Sequence, residues 1–133
     1  MVEAYLADTQ IAIWSVVSPS KIIPSVQLIL QRNPILVSEI SLIEIAIKQK
    51  TGRLTELSLS IDELAAQLLT DGFQLLPINR KHIAAYERIP LFDTHRDPFD
   101  RLLLATALGE EISVISADEK FRLYVPMINL IEA

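Results

Sequence analysis

Five carboxylates stand where reactive groups often stand. Asp8 ends the apolar run Tyr5-Leu6-Ala7, and Asp118 closes Val114-Ile115-Ser116-Ala117. Glu44 follows Ser41-Leu42-Ile43, while Asp97 and Asp100 flank Pro98-Phe99. Taken singly, each has a structural explanation. Asp8 and Asp118 suit helix N-caps. Glu44 fits a capping box with Ser41 and an i,i+4 pair with Lys48. Asp97 caps a helix that has Pro98 in its first position, where Asp100 is favoured near the positive helix end. Taken together, they suit a shared site. Carboxylates at one locus raise one another's pKa unless a cation neutralises them. Oxygen ligands of this kind suit a hard divalent ion such as Mg²⁺ or Mn²⁺, which activates water for attack on a phosphodiester.

Such convergence requires elements that bring distant residues to one edge. The 133 residues are of single-domain size, so one domain is expected over 1–133. Half of them are hydrophobic and three are glycine, which supports a packed core and argues against disorder. No apolar run reaches the roughly 18 residues of a membrane span. Acids at Glu3 and Asp8 argue against a secretory leader, and the chain has no cysteine. A cytoplasmic protein is expected. Short apolar runs at Ala4–Ala7, Ile35–Val37, Gln74–Leu76, Ser113–Ile115 and Met127–Leu130 read as strands. Helical patterns fall at Pro24–Gln31, Ser41–Lys50, Ile61–Leu69, Asn79–Ile89, Pro98–Leu108 and Asp118–Leu123. Ser60 and Glu63 form a capping box for the third of these. Uniformly apolar strands alternating with helices predict a three-layer α/β/α sandwich with a mostly parallel sheet of four to five short strands. In such sheets ligands lie beyond the carboxyl ends of the strands, which is where Asp8 and Asp118 fall.

Four stretches carry a family resemblance: Tyr5-Leu6-Ala7-Asp8-Thr9, Val37 to Lys48 followed by Gly52-Arg53-Leu54, His95 to Ala105, and Ile115-Ser116-Ala117-Asp118. Their order and separation resemble PIN-domain ribonucleases, and within them the VapC-type toxins of bacterial toxin–antitoxin pairs. The block Arg96-Asp97-Pro98-Phe99-Asp100-Arg101 is its most specific part. The resemblance spans nearly the whole chain. It implies a PIN-like fold and a Mg²⁺- or Mn²⁺-dependent RNA-cutting site with Asp8, Glu44, Asp100 and Asp118 as catalytic and metal-binding acids. By the same mapping Asp97 is the helix cap, and Ser116 takes the place of a hydroxyl residue that supports the last acid; Thr9 stands beside Asp8. Gln10 stands where this subgroup often has His, and Ile43 where it often has Trp. These departures bear on substrate choice or partner packing rather than on the acids.

Other constellations are weaker. His82 reads as a surface residue of a helix first turn, and His95 as a loop residue with a minor phosphate-contact reading. Trp14, with Ile11 and Ile13, reads as core or interface packing rather than a base-stacking platform. Gly52, Gly72 and Gly109 are too dispersed for a phosphate-cradling loop. A phosphotransfer enzyme with an aspartate nucleophile is a rival. However, Asp8-Thr9-Gln10 lacks the Asp-x-Asp of haloacid-dehalogenase-type phosphatases, and Pro77 stands where a receiver domain needs its phosphoacceptor. A non-catalytic binding module of the same fold is the other rival.

The net charge of −5 argues against a basic coat for nucleic acid. Residues 21–53 nevertheless carry five basic against two acidic residues. Arg96 and Arg101, with Lys48 and Arg53 as lesser candidates, flank the acidic motifs and are nominated as RNA contacts, since arginine pairs bidentately with phosphate. The segment Ser41–Lys50 has two apolar stripes: Leu42, Ile45 and Ala46 on one side, Ile43 and Ile47 on another. The second stripe is covered either by the helix at Ile61–Leu69 or by a partner. The resemblance favours a partner, implying a homodimer and a cognate antitoxin with a segment lying near the acids.

Overall fold

The computed structural model describes residues 3–133; Met1 and Val2, at the start of the stretch read for a leader, lie outside them. Five short parallel strands form one sheet: β1 (Tyr5–Ala7), β2 (Ile35–Ser38), β3 (Gln74–Leu76), β4 (Ser113–Ser116) and β5 (Leu130–Glu132). Their order is β3-β2-β1-β4-β5. The chain moves outward from β1 through β2 to β3, then returns to place β4 on the other side of β1. The order therefore reverses between β1 and β4, which opens a crevice at their carboxyl ends. Register pairs Leu6 with Leu36 and with Val114, so the three central strands end nearly level.

The expected sandwich is present. Side chains alternate along each strand, and both faces are covered. Tyr5, Ala7, Ile35, Val37 and Ile115 point into one core with Ile11, Ile45, Leu64 and Leu68. Leu6 and Val114 point into the opposite core with Leu103, Leu104, Phe121 and Tyr124. Each fully buried aliphatic side chain contributes roughly 1.5–3 kcal/mol of transfer free energy. That is why three-residue strands suffice here.

Helix boundaries follow local chemistry. Helix α2 (Pro24–Arg32) starts with its proline in the first turn. Helix α4 (Ile61–Thr70) opens with the Ser60–Glu63 capping box. Between them, α3 (Glu39–Lys50) begins two residues before the expected Ser41, because the N-cap is Ser38, whose hydroxyl accepts from Ile40 N–H. The Ser41–Glu44 capping box is thereby excluded. Ser41 is buried inside the helix and instead accepts a 2.9 Å bond from the Thr9 hydroxyl. Helix α5 is shorter than predicted, Arg80–Ala85, and gives way to a 3₁₀ turn at Tyr86–Arg88. Helix α6 runs from Pro98 to Glu110, and Glu119–Tyr124 is 3₁₀ rather than α. The last strand lies three residues beyond the apolar Met127–Leu130 start, since Leu130 and Ile131 are what align with Val114 and Ile115.

One helix has no counterpart in the sequence-based assignment. Residues Thr9–Val17 form α1, directly after β1. Its segment, Thr-Gln-Ile-Ala-Ile-Trp-Ser-Val-Val, is apolar on nearly every side and rich in β-branched residues. A segment apolar on nearly every side shows no amphipathic period. His82 also departs from its surface reading: it is buried in α5, where Nε2 lies 2.7 Å from Glu110 Oε1 on α6.

Candidate active site

At the β1/β4 crevice lies a cleft of about 330 Å³ lined by Asp8, Thr9, Gln10, Trp14, Glu44, Lys48, Asp97, Asp100, Ala117 and Asp118. Each acid arrives by a separate route. Asp8 leaves β1 and caps α1, with Oδ1 accepting from Ile11 N–H at 2.9 Å. Its Oδ2 accepts from the Ser116 hydroxyl at the end of β4. Ser116 Oγ in turn accepts from Asp118 N–H at 3.0 Å. One hydroxyl thus orients the first acid and the turn carrying the last. Asp118 caps the following 3₁₀ turn through Lys120 N–H. Capping and site membership coexist, because a carboxylate oxygen that accepts one hydrogen bond keeps a further lone pair.

Glu44 comes from α3, one turn before Lys48, with which it pairs at 2.9 Å through Oε2. Its Oε1 is buried and has no hydrogen-bond partner among the described residues. A buried orphan carboxylate oxygen is costly unless something outside the chain completes it. Asp97 caps α6, accepting from the N–H groups of Phe99 and Asp100 at 2.9 and 3.2 Å, which leaves Asp100 to face the cleft. One donor atom each from His95, Asp100 and Asp118 fall within 4.8 Å of one another.

Burial pushes the Asp8 carboxyl up to about 6, against the pull of the Ser116 and Ile11 donors, with Asp100 and Asp118 adding repulsion. Burial likewise raises Asp100 to about 6; the His95 bond opposes this, and Asp97 and Glu44 add to it. Desolvation therefore exceeds the mutual repulsion on which the sequence argument relied. Both groups favour folding when protonated. Their stabilisation is complete below the unfolded pKa near 3.8 and is lost as pH rises through about 6. In EDTA, wild-type stability relative to an Asp8→Asn variant should fall by roughly 3 kcal/mol between pH 4 and pH 7. A pH-independent difference in denaturant midpoints would exclude a raised Asp8.

The nominated cations separate. Lys48 lines the cleft. Arg53 and Lys48 border an adjoining cleft with Ile47, Pro98 and Phe99 that shares Glu44 and Asp97 with the first. Arg96 is exposed and meets only the exposed Asp93 at 3.3 Å, a pair that leaves it accessible. Arg101 is a correction. It is 3% exposed, and its guanidinium donates to the Ile89 and Pro90 carbonyls and to the Tyr86 and Tyr124 hydroxyls. It cannot meet a phosphate from there. Position on α6 decides this: Arg101 follows Asp100 by about 100° around the helix, which turns it from cleft to core. His95 is also corrected, being buried against Asp100 rather than exposed to solvent. Trp14, half-buried, packs on the first core and also lines the cleft.

The PIN domain family model matches residues 5–125, and the chain belongs to this family. PIN domains are generally nucleases that use divalent metals, which agrees with an acidic cleft at the sheet's switch point. No curated protein sequence matches significantly. Among solved structures, VapBC2 from Rickettsia felis bound to a promoter DNA fragment is similar at TM-score 0.67 and 17% identity, over 97% of this chain and 98% of that one. DNA-bound VapBC from Salmonella typhimurium is similar at TM-score 0.67 and 15% identity, over 99% and 98%. VapBC-5 from Mycobacterium tuberculosis is similar at TM-score 0.58 and 17% identity, over 98% of both chains. At these identities the likeness is one of fold.

Proposed function

We propose that this PIN-domain chain is a metal-dependent endoribonuclease of the VapC type, held inactive by a cognate antitoxin. The carrying observation is the convergence of Asp8, Glu44, Asp100 and Asp118 on one cleft, with a buried Glu44 oxygen that has no donor among the described residues. Four oxygen-bearing acids without cysteine fit a hard divalent cation, Mg²⁺ or Mn²⁺. Asp8 and Asp100 would hold it most directly, with Glu44 and Asp118 completing its charge. When bound, the cation supplies a water of lowered pKa and stabilises charge on the phosphoryl oxygens. The chain's own groups do the rest. Ser116 and the α1 N-terminus keep Asp8 in one rotamer. Lys48 holds Glu44 by Oε2, leaving Oε1 to orient the attacking water and accept its proton. Lys48 and Arg53, which line the clefts, and the exposed Arg96 would meet RNA phosphates.

Cleavage of a long single-stranded RNA by purified protein tests the reading. Activity is expected with Mg²⁺ or Mn²⁺ and absent in EDTA, returning when the metal is restored. Equal cutting in EDTA would refute it. RNA affinity of a dead variant should fall with salt. It should also fall on Arg96→Ala, whereas Arg101→Ala should affect folding instead.

The antitoxin reading has its own support. Ile43 and Ile47 are 46% and 42% exposed, so α4 does not cover their stripe. This stripe runs into the cleft formed by Ile47, Pro98 and Phe99 beside Glu44. An amphipathic segment lying there would reach the carboxylates with a basic residue. The VapBC neighbours are themselves toxin–antitoxin complexes. Homodimerisation is the second use proposed for this exposed surface.

A further inference from the structure

His95 is the buried group at the cleft that the chemistry above leaves without a role. It is 2% exposed, in the tight turn closed by its own N–H on the Phe92 carbonyl just before α6. Both ring nitrogens are engaged. Nε2 lies 2.9 Å from Asp100 Oδ2, and Nδ1 lies 2.8 Å from the Tyr124 hydroxyl. The Phe121 and Tyr124 rings pack on the imidazole at centroid distances of 5.8 and 5.5 Å. Behind Tyr124 stands Arg101, whose Nη1 donates to the same hydroxyl at 3.4 Å.

The supply of protons gives this chain a direction. Asp100, ionised, can only accept, which places a neutral His95's one N–H on Nε2. Nδ1 is left to accept from the Tyr124 hydroxyl, whose oxygen in turn accepts from Arg101. His95 is the sole hydrogen-bond partner of the Asp100 side chain among the described residues. We propose that His95 is a positioning residue for Asp100: the Arg101–Tyr124–His95 chain holds the imidazole with its proton on Nε2, pins Oδ2 with that proton, and leaves Oδ1 as the oxygen available to a cation. The inference rests on the metal-dependent reading above. It also explains why Arg101, one residue after an acid of the site, is buried: it anchors the far end of the chain.

A packing role alone would need the imidazole ring but not the hydroxyl of Tyr124, so Tyr124→Phe separates the two. The chain has only two histidines, so their ¹⁵N spectra are simple to assign. In EDTA near pH 8, wild-type His95 should show its proton on Nε2 and a hydrogen-bonded Nδ1. Tyr124→Phe should keep the Nε2 proton, which the Asp100 carboxylate holds, and shift the Nδ1 resonance to that of a ring nitrogen without a donor. The folded Tyr124→Phe protein should bind Mn²⁺ about 10-fold more weakly. Its kcat should fall about 10- to 100-fold with KM for RNA unchanged, the usual scale for groups that orient a metal ligand. His95→Ala should lose at least as much. His95→Gln, whose amide N–H can reach Asp100, should recover most of the Mn²⁺ affinity. A wild-type proton on Nδ1 overturns the proposal, as do folded Tyr124→Phe and His95→Ala proteins with wild-type Mn²⁺ affinity. A wild type that binds no Mn²⁺ removes the metal-dependent reading itself, and the positioning role falls with it.

Discussion

Asp8→Asn should reduce RNA cleavage by at least about 100-fold while making the metal-free protein more stable. The first effect follows from losing the charge proposed to hold the metal directly, since even groups that merely orient ligands cost about 10–100-fold. The second follows from burial. The Asp8 carboxyl titrates at about 6 instead of 3.8, so at neutral pH its ionised form disfavours folding by roughly 3 kcal/mol. Asparagine removes that charge and keeps the α1 cap, because Asn caps about as well as Asp. The gain should therefore be about 1–3 kcal/mol in EDTA. Saturating Mn²⁺ should narrow or reverse it, because only the wild type binds the cation well. Denaturant melts of both proteins, with and without metal, read both effects. An inactive variant that is also destabilised in EDTA would show that Asp8 serves the fold and not an electrostatically strained site.

Ile43→Glu combined with Ile47→Glu should weaken antitoxin binding by at least about 100-fold without unfolding the protein. Both side chains are roughly half exposed, so neither is needed by the core. Burying each against a partner is worth about 1.5–3 kcal/mol, and a glutamate left in the same place adds a desolvation cost. Loss of 3 kcal/mol already exceeds a 100-fold change in Kd. Nuclease activity should survive, since neither residue lines the acidic cleft. Solution mass measured on the same variant reports on the second proposed use of the stripe. A folded double variant with unchanged mass and unchanged antitoxin affinity would remove this surface as an interface.

Local rules carried well wherever the physics is local. Pro24 and Pro98 start helices, Ser60 with Glu63 makes a capping box, and Asp97 caps α6 because short-range geometry decides those positions. They failed for α1, whose nearly uniform apolar sequence lacks the periodicity a helix normally displays, and for Ser41, whose hydroxyl was claimed by Thr9 across 32 positions of sequence. They failed again for Arg101 and His95. Arg101 closes the most specific block of the chain and His95 directly precedes it, yet a single residue step, about 100° around the helix, separates a cleft-facing acid from a core-facing arginine.

The strand–helix alternation, and the places of Asp8 and Asp118 just beyond strand ends, are legible in residue order alone. These depend on residue type, hydrophobic run length and capping chemistry, all of which act within a few positions. Only the tertiary structure decided which groups meet. The reversal of strand order between β1 and β4 brings Ser116 onto Asp8 across 108 residues. The seating of α3 against the sheet buries Glu44 Oε1 without a donor among the described residues. The packing of the Tyr124 turn onto α6 closes the chain from Arg101 to Asp100. Hydrogen bonds and desolvation act over a few ångströms of space, and distances of that kind are fixed by strand order and core packing.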